Sequence, residues 1–596
     1  MKRFLLYLTA AFFGTLAALF FLFLLVTAAL VGGEATPPVA SDSVLDLDLG
    51  GFIPEIAPLD PVGALIGQEG LTLRDVTEAL RKAAADDRIE VVWLRPEGVS
   101  ASWAVLSEIR GALDTYRASG KPLIASSGSN GFSEAAYYLA SAADSVFTPP
   151  EATFELNGFY LTVPFFAGAL DKLGVEPEVI RAGSYKSAAE TFTNRQFSPE
   201  NREQYQDLVD GVSTTFRTAI AASRPVTLAD LDRIVEAGGL YDARAALAAG
   251  LVDGLRYEEA VRDGLRAYTD QDADDELRTV AFEDYAAVTP SEAGLALGDA
   301  SERIALVYAV GQIMPGESTP DTGSGAILGA DTFADALREA VRDETVRAIV
   351  VRVDSPGGAA TASDAMWHAV REARRHVPVV VSMGGVAASG GYYLAAAADT
   401  ILADPNTITG SIGVISVLFD ATELLNDKLG VTFDAVQTGP AADLGALGQP
   451  LGPQERAILE RTTEEVYTAF VDRVASGRGL SPDSVRALAG GRVYTGARAL
   501  QLGLIDGLAD LDGALTVAAA MAGLDTDYGL RVLPEEKGFF ELLTDGAFVQ
   551  AALGTVQARR ETLHERAFRQ QVTLLREAAT LHATPQARLL SDVQVR

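Results

Sequence analysis

The chain has 596 residues, 48% of them apolar, enough to bury a sizeable core in more than one domain. Its formal net charge of −33 excludes the electrostatic footprint of a nucleic-acid binder, which needs clustered Lys and Arg to neutralise phosphates. Cysteine is absent, which excludes thiol catalysis, disulfides and thiolate metal sites while permitting an oxidising compartment.

Met1-Lys2-Arg3 is followed by Phe4 to Val31, 28 residues without a charge. About 20 apolar residues suffice to span a bilayer, whereas the apolar region of a cleaved signal peptide runs to only about 7–15. Residues 1–33 therefore read as a cytoplasmic start and an uncleaved single-pass anchor. Lys2 and Arg3 stay in the cytoplasm by the positive-inside rule, which puts the body on the far side, the periplasm in a bacterium. Residues 34–45, with Pro37-Pro38, form a linker.

The body is then written twice. LDLDLGGFIPE from Leu45 resembles LVYAVGQIMPGE from Leu306, and YDARAALAAGLVDG from Tyr241 resembles YTGARALQLGLIDG from Tyr494. Between them, Pro122 to Asp144 matches Pro378 to Asp399, and DKLGVEPEVIRAGSYKS from Asp171 matches DKLGVTFDAVQTGPAAD from Asp427. The matches keep an offset of about 253 to 261 residues, so two homologous halves, 46–290 and 300–535, account for most of the chain. Asp270 to Glu276, DQDADDE, imitates a calcium loop, but the sixth position is Asp275 rather than Gly and the twelfth is Ala281, so it reads as a solvated linker between the halves.

In the second half, strand-like runs at Ile304–Val310, Ala348–Val353 and Val377–Val381 alternate with helical runs at Ala334–Arg342 and Thr361–Arg375. This predicts α/β layering with buried parallel strands. Past Leu533 the pattern changes: Phe539–Leu581 reads as amphipathic helices within a helical tail, 536–596, that packs on a neighbour or lies near lipid.

Ser389, in Ala387-Ala388-Ser389-Gly390-Gly391, follows a predicted strand and precedes an apolar helix starting near Tyr392. A serine on such a turn is exposed at the sheet edge, and the N–H of the next residue, Gly390, points where an oxyanion would form. A second donor is expected from Asp354-Ser355-Pro356-Gly357-Gly358, directly after another strand. Either turn alone reads first as a structural Gly-Ser turn; two after consecutive strands are more specific. In the first half the YYLA match puts Glu134 opposite Ser389, so the nucleophile survives once.

A serine needs a base. Of the four histidines, His368 and His376 lie in or just after a charged helix and His564 and His582 in the tail, and His368 reads as a solvated or core-lining residue. A buried lysine is the alternative, because a neutral ε-amine can take the hydroxyl proton whereas arginine stays charged. Only seven lysines occur against 41 arginines, and Lys186, between Tyr185 and Ser187 after Gly183, sits in a small turn after an apolar strand. By composition alone an ordinary surface lysine reads the same way. The repeat sets Lys186 opposite Ala442, so the lysine too survives once, in the other half.

The Ser389 and Gly357-Gly358 segments, Gly-Ser-Tyr-Lys-Ser at 183–187 and Thr409-Gly410-Ser411-Ile412-Gly413 together resemble the signal peptide peptidase A family, in its long, duplicated bacterial form. The resemblance implies two tandem domains of the Clp-protease and crotonase type and a Ser/Lys dyad formed by Ser389 as nucleophile and Lys186 as general base. It further implies that Ser411 orients the amine and that Gly390 with Gly357 or Gly358 holds the oxyanion. It implies homotetrameric bowls that cut remnant signal peptides and other apolar peptides at the membrane, with no cofactor and no metal. HExxH, P-loop and GxGxxG motifs are absent. Two further readings stay open: a crotonase-like acyl-CoA enzyme, which needs an adenine and phosphate site, and a non-catalytic scaffold kept for its shape.

Overall fold

Val379–Ala388 and Ile89–Arg95 are almost entirely buried apolar strands, and such strands require cover on both faces. In the computed structural model the described residues are Gly14, 39–57, 71–269, 271, 275–295, 299–319, 325–446, 449–525, 528–535 and 586–588. Apart from Gly14, the expected anchor at Phe4–Val31 lies outside them, as do the helices expected at Phe539–Leu581. No helix among the described residues is long and apolar enough to cross a membrane.

Each half carries a large sheet with a run of six parallel strands, and the two runs share an order. In the first half the strands run Gly254–Leu255, Ser145–Thr148, Leu123–Ser126, Ile89–Arg95, Ser43–Asp48 and Thr279–Ala281. In the second, the corresponding run is Gly507–Leu508, Thr400–Ala403, Val379–Ala388, Val346–Ser355, Asp299–Val310 and Tyr528–Leu533. The duplication reaches single hydrogen bonds. Tyr137 Oη donates to Leu251 O and Tyr392 Oη to Leu504 O, both at 2.7 Å. Asp144 accepts from Leu123 N as Asp399 accepts from Val379 N, both at 2.9 Å. Helices cover these sheets, and each half packs a large apolar cluster of its own.

The halves differ where the sequence differs. Val377–Val381 was the expected strand; the strand observed runs on through Gly384-Gly385 to Ala388. A Cβ on Gly384 would lie 2.5 Å from Glu55 Oε1, and one on Gly385 2.6 Å from Ser102 Oγ, so the glycines admit the first half against this strand. In the first half the same path breaks after Ser126 and resumes as Gly131–Phe132 in a separate three-stranded sheet.

A further sheet is shared between the halves. Glu176–Ala182 pairs antiparallel with Val414–Asp420 over seven residues, from Val414 opposite Ala182 to Asp420 opposite Glu176. The segment matching Glu176–Ala182 by repeat, near Val431–Val436, forms no strand and is exposed. The same sheet contains Gln312–Met314, Gly357–Ala359 and Gln586–Arg588. Within the segment expected as a helical tail, and beyond the helices expected at Phe539–Leu581, Gln586–Arg588 is a strand antiparallel to Gly357–Ala359.

Candidate active site

Two strands of the second half deliver two serines side by side. Ala388 and Gly410 are partners in a parallel pair, and Ser389 N donates to Gly410 O at 2.8 Å. Ser389 and Ser411 therefore leave adjacent strands at the same level. Ser389 has φ 56°, ψ −112° and Ser411 φ 53°; with Asp42 they are the only non-glycine residues at positive φ among those described. Such backbone strain costs on the order of 1–3 kcal/mol per residue and persists only where the surroundings impose it. At Ser389 the strained turn ends the strand and starts the helix Gly390–Ala395.

The shared sheet brings the third group. Glu176–Ala182 ends where the turn Gly183–Lys186 begins, and Val414, opposite Ala182, lies three residues after Ser411. Tyr185 N donates to Gly490 O at 2.8 Å, and Ser411 N to Arg492 O at 2.7 Å, so one segment of the second half seats both turns. Close approach is required there: a Cβ on Gly491, at φ +83°, would lie 2.5 Å from Lys186 Cβ.

Lys186 Nζ lies 2.7 Å from Ser389 Oγ, 3.0 Å from Ser411 O and 3.0 Å from Ser411 Oγ. Lys186, Ser389 and Ser411 are all fully buried or nearly so. Burial alone lowers the Lys186 pKa from 10.5 to about 7. A neutral amine has two N–H groups and one lone pair, which suits two acceptors on Ser411 and one hydroxyl on Ser389.

Gly357, at φ +96°, and Gly358 face the same turn: a Cβ on Gly390 would come within 3.1 Å of Gly357 Cα and 3.2 Å of Gly358 N. Ser363 Oγ, buried beneath, would be 2.4 Å from that Cβ, so this position admits only glycine without rearrangement. Gly358 itself packs its Cα against Ile313, where a Cβ would fall 1.9 Å from the carbonyl oxygen. All six residues singled out from sequence, Lys186, Gly357, Gly358, Ser389, Gly390 and Ser411, thus converge on one place. His368 and His376 are exposed.

The residue at the equivalent position of the first half is a carboxylate. Glu134, opposite Ser389, accepts from Asn157 N at 2.8 Å and Gly158 N at 3.0 Å, and burial pushes its carboxyl upward.

Sequence reasoning missed Gly490-Gly491 and the buried Gln204. The glycine pair was detectable, because Ala237-Gly238-Gly239 repeats it in the first half. Gln204 left no signal, being one polar residue within a helix that otherwise reads as amphipathic.

Peptidase family S49 matches the chain twice, over residues 115–272 and 371–525. "Serine protease SPPA, chloroplastic" of Arabidopsis thaliana is 33% identical over 456 residues, which span 76% of this chain and 66% of that protein. "Protease 4" of Salmonella typhi is 35% identical over 464 residues, 76% of this chain and 72% of its own length. "Protease 4" of Haemophilus influenzae is 31% identical over 519 residues, covering 83% and 82%. A twice-matched family and relatives matched over most of the chain leave one assignment: the chain belongs to peptidase family S49, with the family's α/β domain duplicated, and is a serine protease.

Proposed function

We propose that this protein is a membrane-anchored endopeptidase whose nucleophile and base come from different halves, Ser389 from 300–535 and Lys186 from 46–290. The observation that carries the reading is the 2.7 Å approach of Lys186 Nζ to Ser389 Oγ in a fully buried setting with no carboxylate partner for the amine among the described residues. Neutral Lys186 donates to Ser411 O and Oγ, which leaves its lone pair directed at the Ser389 hydroxyl. Lys186 takes the hydroxyl proton as Ser389 Oγ attacks the peptide carbonyl, and the oxyanion is met by N–H groups of Gly390 and of Gly357 or Gly358. The ammonium then protonates the leaving amine, and water, activated by the same amine, releases the acyl group.

The substrate class is an extended apolar peptide. The chain's own Gln586–Arg588 lies antiparallel along Gly357–Ala359, with Arg588 opposite Gly357 and Gln586 opposite both Ala359 and Ile415. A polypeptide added to this edge by backbone hydrogen bonding runs past the oxyanion turn, which is how strand addition presents a scissile bond. Remnant signal peptides suit such a groove at a membrane. The anchor at 1–33 holds the body on the periplasmic side of a bacterial inner membrane, and assembly as a homotetramer encloses the sites.

Hydrolysis of a fluorogenic apolar peptide tests the reading, and its pH dependence carries the sign. The base must be neutral, so kcat/KM rises with pH and levels off above an apparent pKa near 7. A profile flat from pH 6 to 9 contradicts a buried lysine base. Gly491→Ala should lower kcat at least 100-fold with the circular dichroism spectrum unchanged, because its Cβ overlaps Lys186 Cβ, Cα and N at 2.5–2.6 Å and dislodges the amine. Retention of full activity by that variant would remove Gly491 from the support of the turn.

A further inference from the structure

The turn that carries Lys186 belongs to the first half and the two serines to the second, so something must hold the amine in register across that seam. Backbone contacts supply part of it, through Tyr185 N to Gly490 O. The side chain that reaches both sides is Gln204, on the helix Pro199–Ser223 of the first half and 1% exposed.

Its amide is used at both ends. Gln204 Nε2 donates to Ser187 Oγ at 2.9 Å and Asn201 Oδ1 at 2.9 Å, and lies 3.4 Å from Tyr185 O. Gln204 Oε1 accepts from Val493 N at 3.1 Å. Tyr185 and Ser187 flank Lys186. Val493 follows Arg492, whose carbonyl accepts from Ser411 N, and it opens the strand Val493–Thr495 that pairs antiparallel with Ile408–Gly410. One amide therefore ties the lysine turn to the strand that sets Ser411, and through Gly410 to Ser389.

Asn201 is held in its turn: its Nδ2 donates to Glu190 Oε2 at 3.1 Å, and Glu190 also accepts from Ser198 N at 3.2 Å and Ser198 Oγ at 2.7 Å. Ser187, Glu190, Asn201 and Gln204 are all at least nine-tenths buried, so each lost bond strands a polar group away from water.

We infer that Gln204 is a positioning residue for the Lys186 base, acting across the seam between the halves. The inference rests on the Lys186–Ser389 reading above. Only an amide fits the role: it must donate to Ser187 while accepting from Val493. Glutamate keeps the size and the acceptor but loses both donors, and brings a negative charge to the lysine turn. Leucine keeps most of the volume and loses both functions.

The test measures kcat, KM and the pH profile of peptide hydrolysis by the full chain for Gln204→Leu, Gln204→Glu and, as a control on the same helix, the exposed Gln206→Leu. Gln204→Leu should lower kcat about 10- to 100-fold with KM within twofold of wild type, since a displaced base weakens the transition state and not peptide binding. Gln204→Glu should also move the acidic limb to higher pH, because a nearby carboxylate stabilises the charged amine. Gln206→Leu should match wild type. If both Gln204 variants, folded by thermal melting, keep wild-type kcat and an unmoved limb, the positioning role is wrong while the dyad stands. If Gln204→Leu loses activity only in proportion to its folded fraction, the residue is merely structural and the inference falls. Loss of the dyad reading is distinguished separately, by a Lys186→Ala enzyme that remains active.

Discussion

Replacing Ser389 or Lys186 with alanine is expected to lower kcat for peptide hydrolysis by on the order of 10⁴-fold or more, and replacing both should lower it no further. Residues that act as one unit are non-additive in this way, because removing either leaves the other without a task. Residual activity would come from the oxyanion donors and from peptide binding alone. Misfolding is not the expected cause of loss. Lys186 is deprotonated more readily folded than unfolded, its pKa falling from 10.5 to about 7, so between those values the unfolded chain holds more protons. Stability contributed by this group therefore rises with pH across that window, and at pH 7 burial of the amine is a cost on the order of a few kcal/mol. Lys186→Met should accordingly melt no lower than wild type at pH 7 while being inactive. An inactive variant that also melts far below wild type would leave the loss unexplained by chemistry.

The second large effect concerns stability. Arg352, fully buried on Val346–Ser355, crosses from the second half to two carboxylates of the first. Its Nε and Nη2 meet Glu55 at 3.0 and 2.5 Å, Nη2 also meets Glu108 at 2.6 Å, and Nη1 donates to Ser382 Oγ at 2.9 Å. One guanidinium serves two buried carboxylates, and burial pushes Glu108 upward despite it. Arg352→Met removes the cation and should cost about 3–5 kcal/mol, the range for breaking one partner out of a buried ion pair. The sign with pH follows. Arg352 holds the buried Glu108 carboxyl down, so without it Glu108 keeps its proton to higher pH in the folded variant than in wild type, and the variant's deficit should be smaller at low pH than at high pH. Replacing all three with apolar residues should recover most of the loss, because the cation and both carboxylates it pairs are then removed together. Thermal melting across pH reads both. A deficit independent of pH would show that the cavity, rather than the stranded carboxylates, sets the cost.

Much of the site was legible because of the duplication. Ser389 stood out against Glu134 and Lys186 against Ala442, and the family resemblance of the segments around them supplied their expected roles. Gly357-Gly358 and Gly390 were legible from strand-to-turn punctuation, and the structure gives their reason: φ +96° at Gly357, a Cβ falling on Ile313 O at Gly358 and one falling on Ser363 Oγ at Gly390. The cross-half pairing of Glu176–Ala182 with Val414–Asp420 was not legible. The repeat matches Glu176–Ala182 to the segment near Val431, and only tertiary contact decides that its pairing partner in the second half is Val414–Asp420. The extension of Val379–Ala388 through two glycines was hidden for a related reason, since glycine ordinarily marks the end of a strand, and here it marks where Glu55 and Ser102 of the other half press close. Arg352 read as one charge in an apolar run and its partners lie 297 and 244 residues away, beyond any local pattern.

The most direct measurement of the central claim is single-turnover acylation of Ser389 by an activated peptide ester, followed by intact mass, in wild type and in Lys186→Met from pH 5 to 9. The split dyad predicts a wild-type rate that rises through pH 7 and levels off, with acylation essentially lost in Lys186→Met at every pH. A Lys186→Met enzyme that acylates Ser389 at the wild-type rate would place the base elsewhere and contradict the assignment of one active site built from two halves.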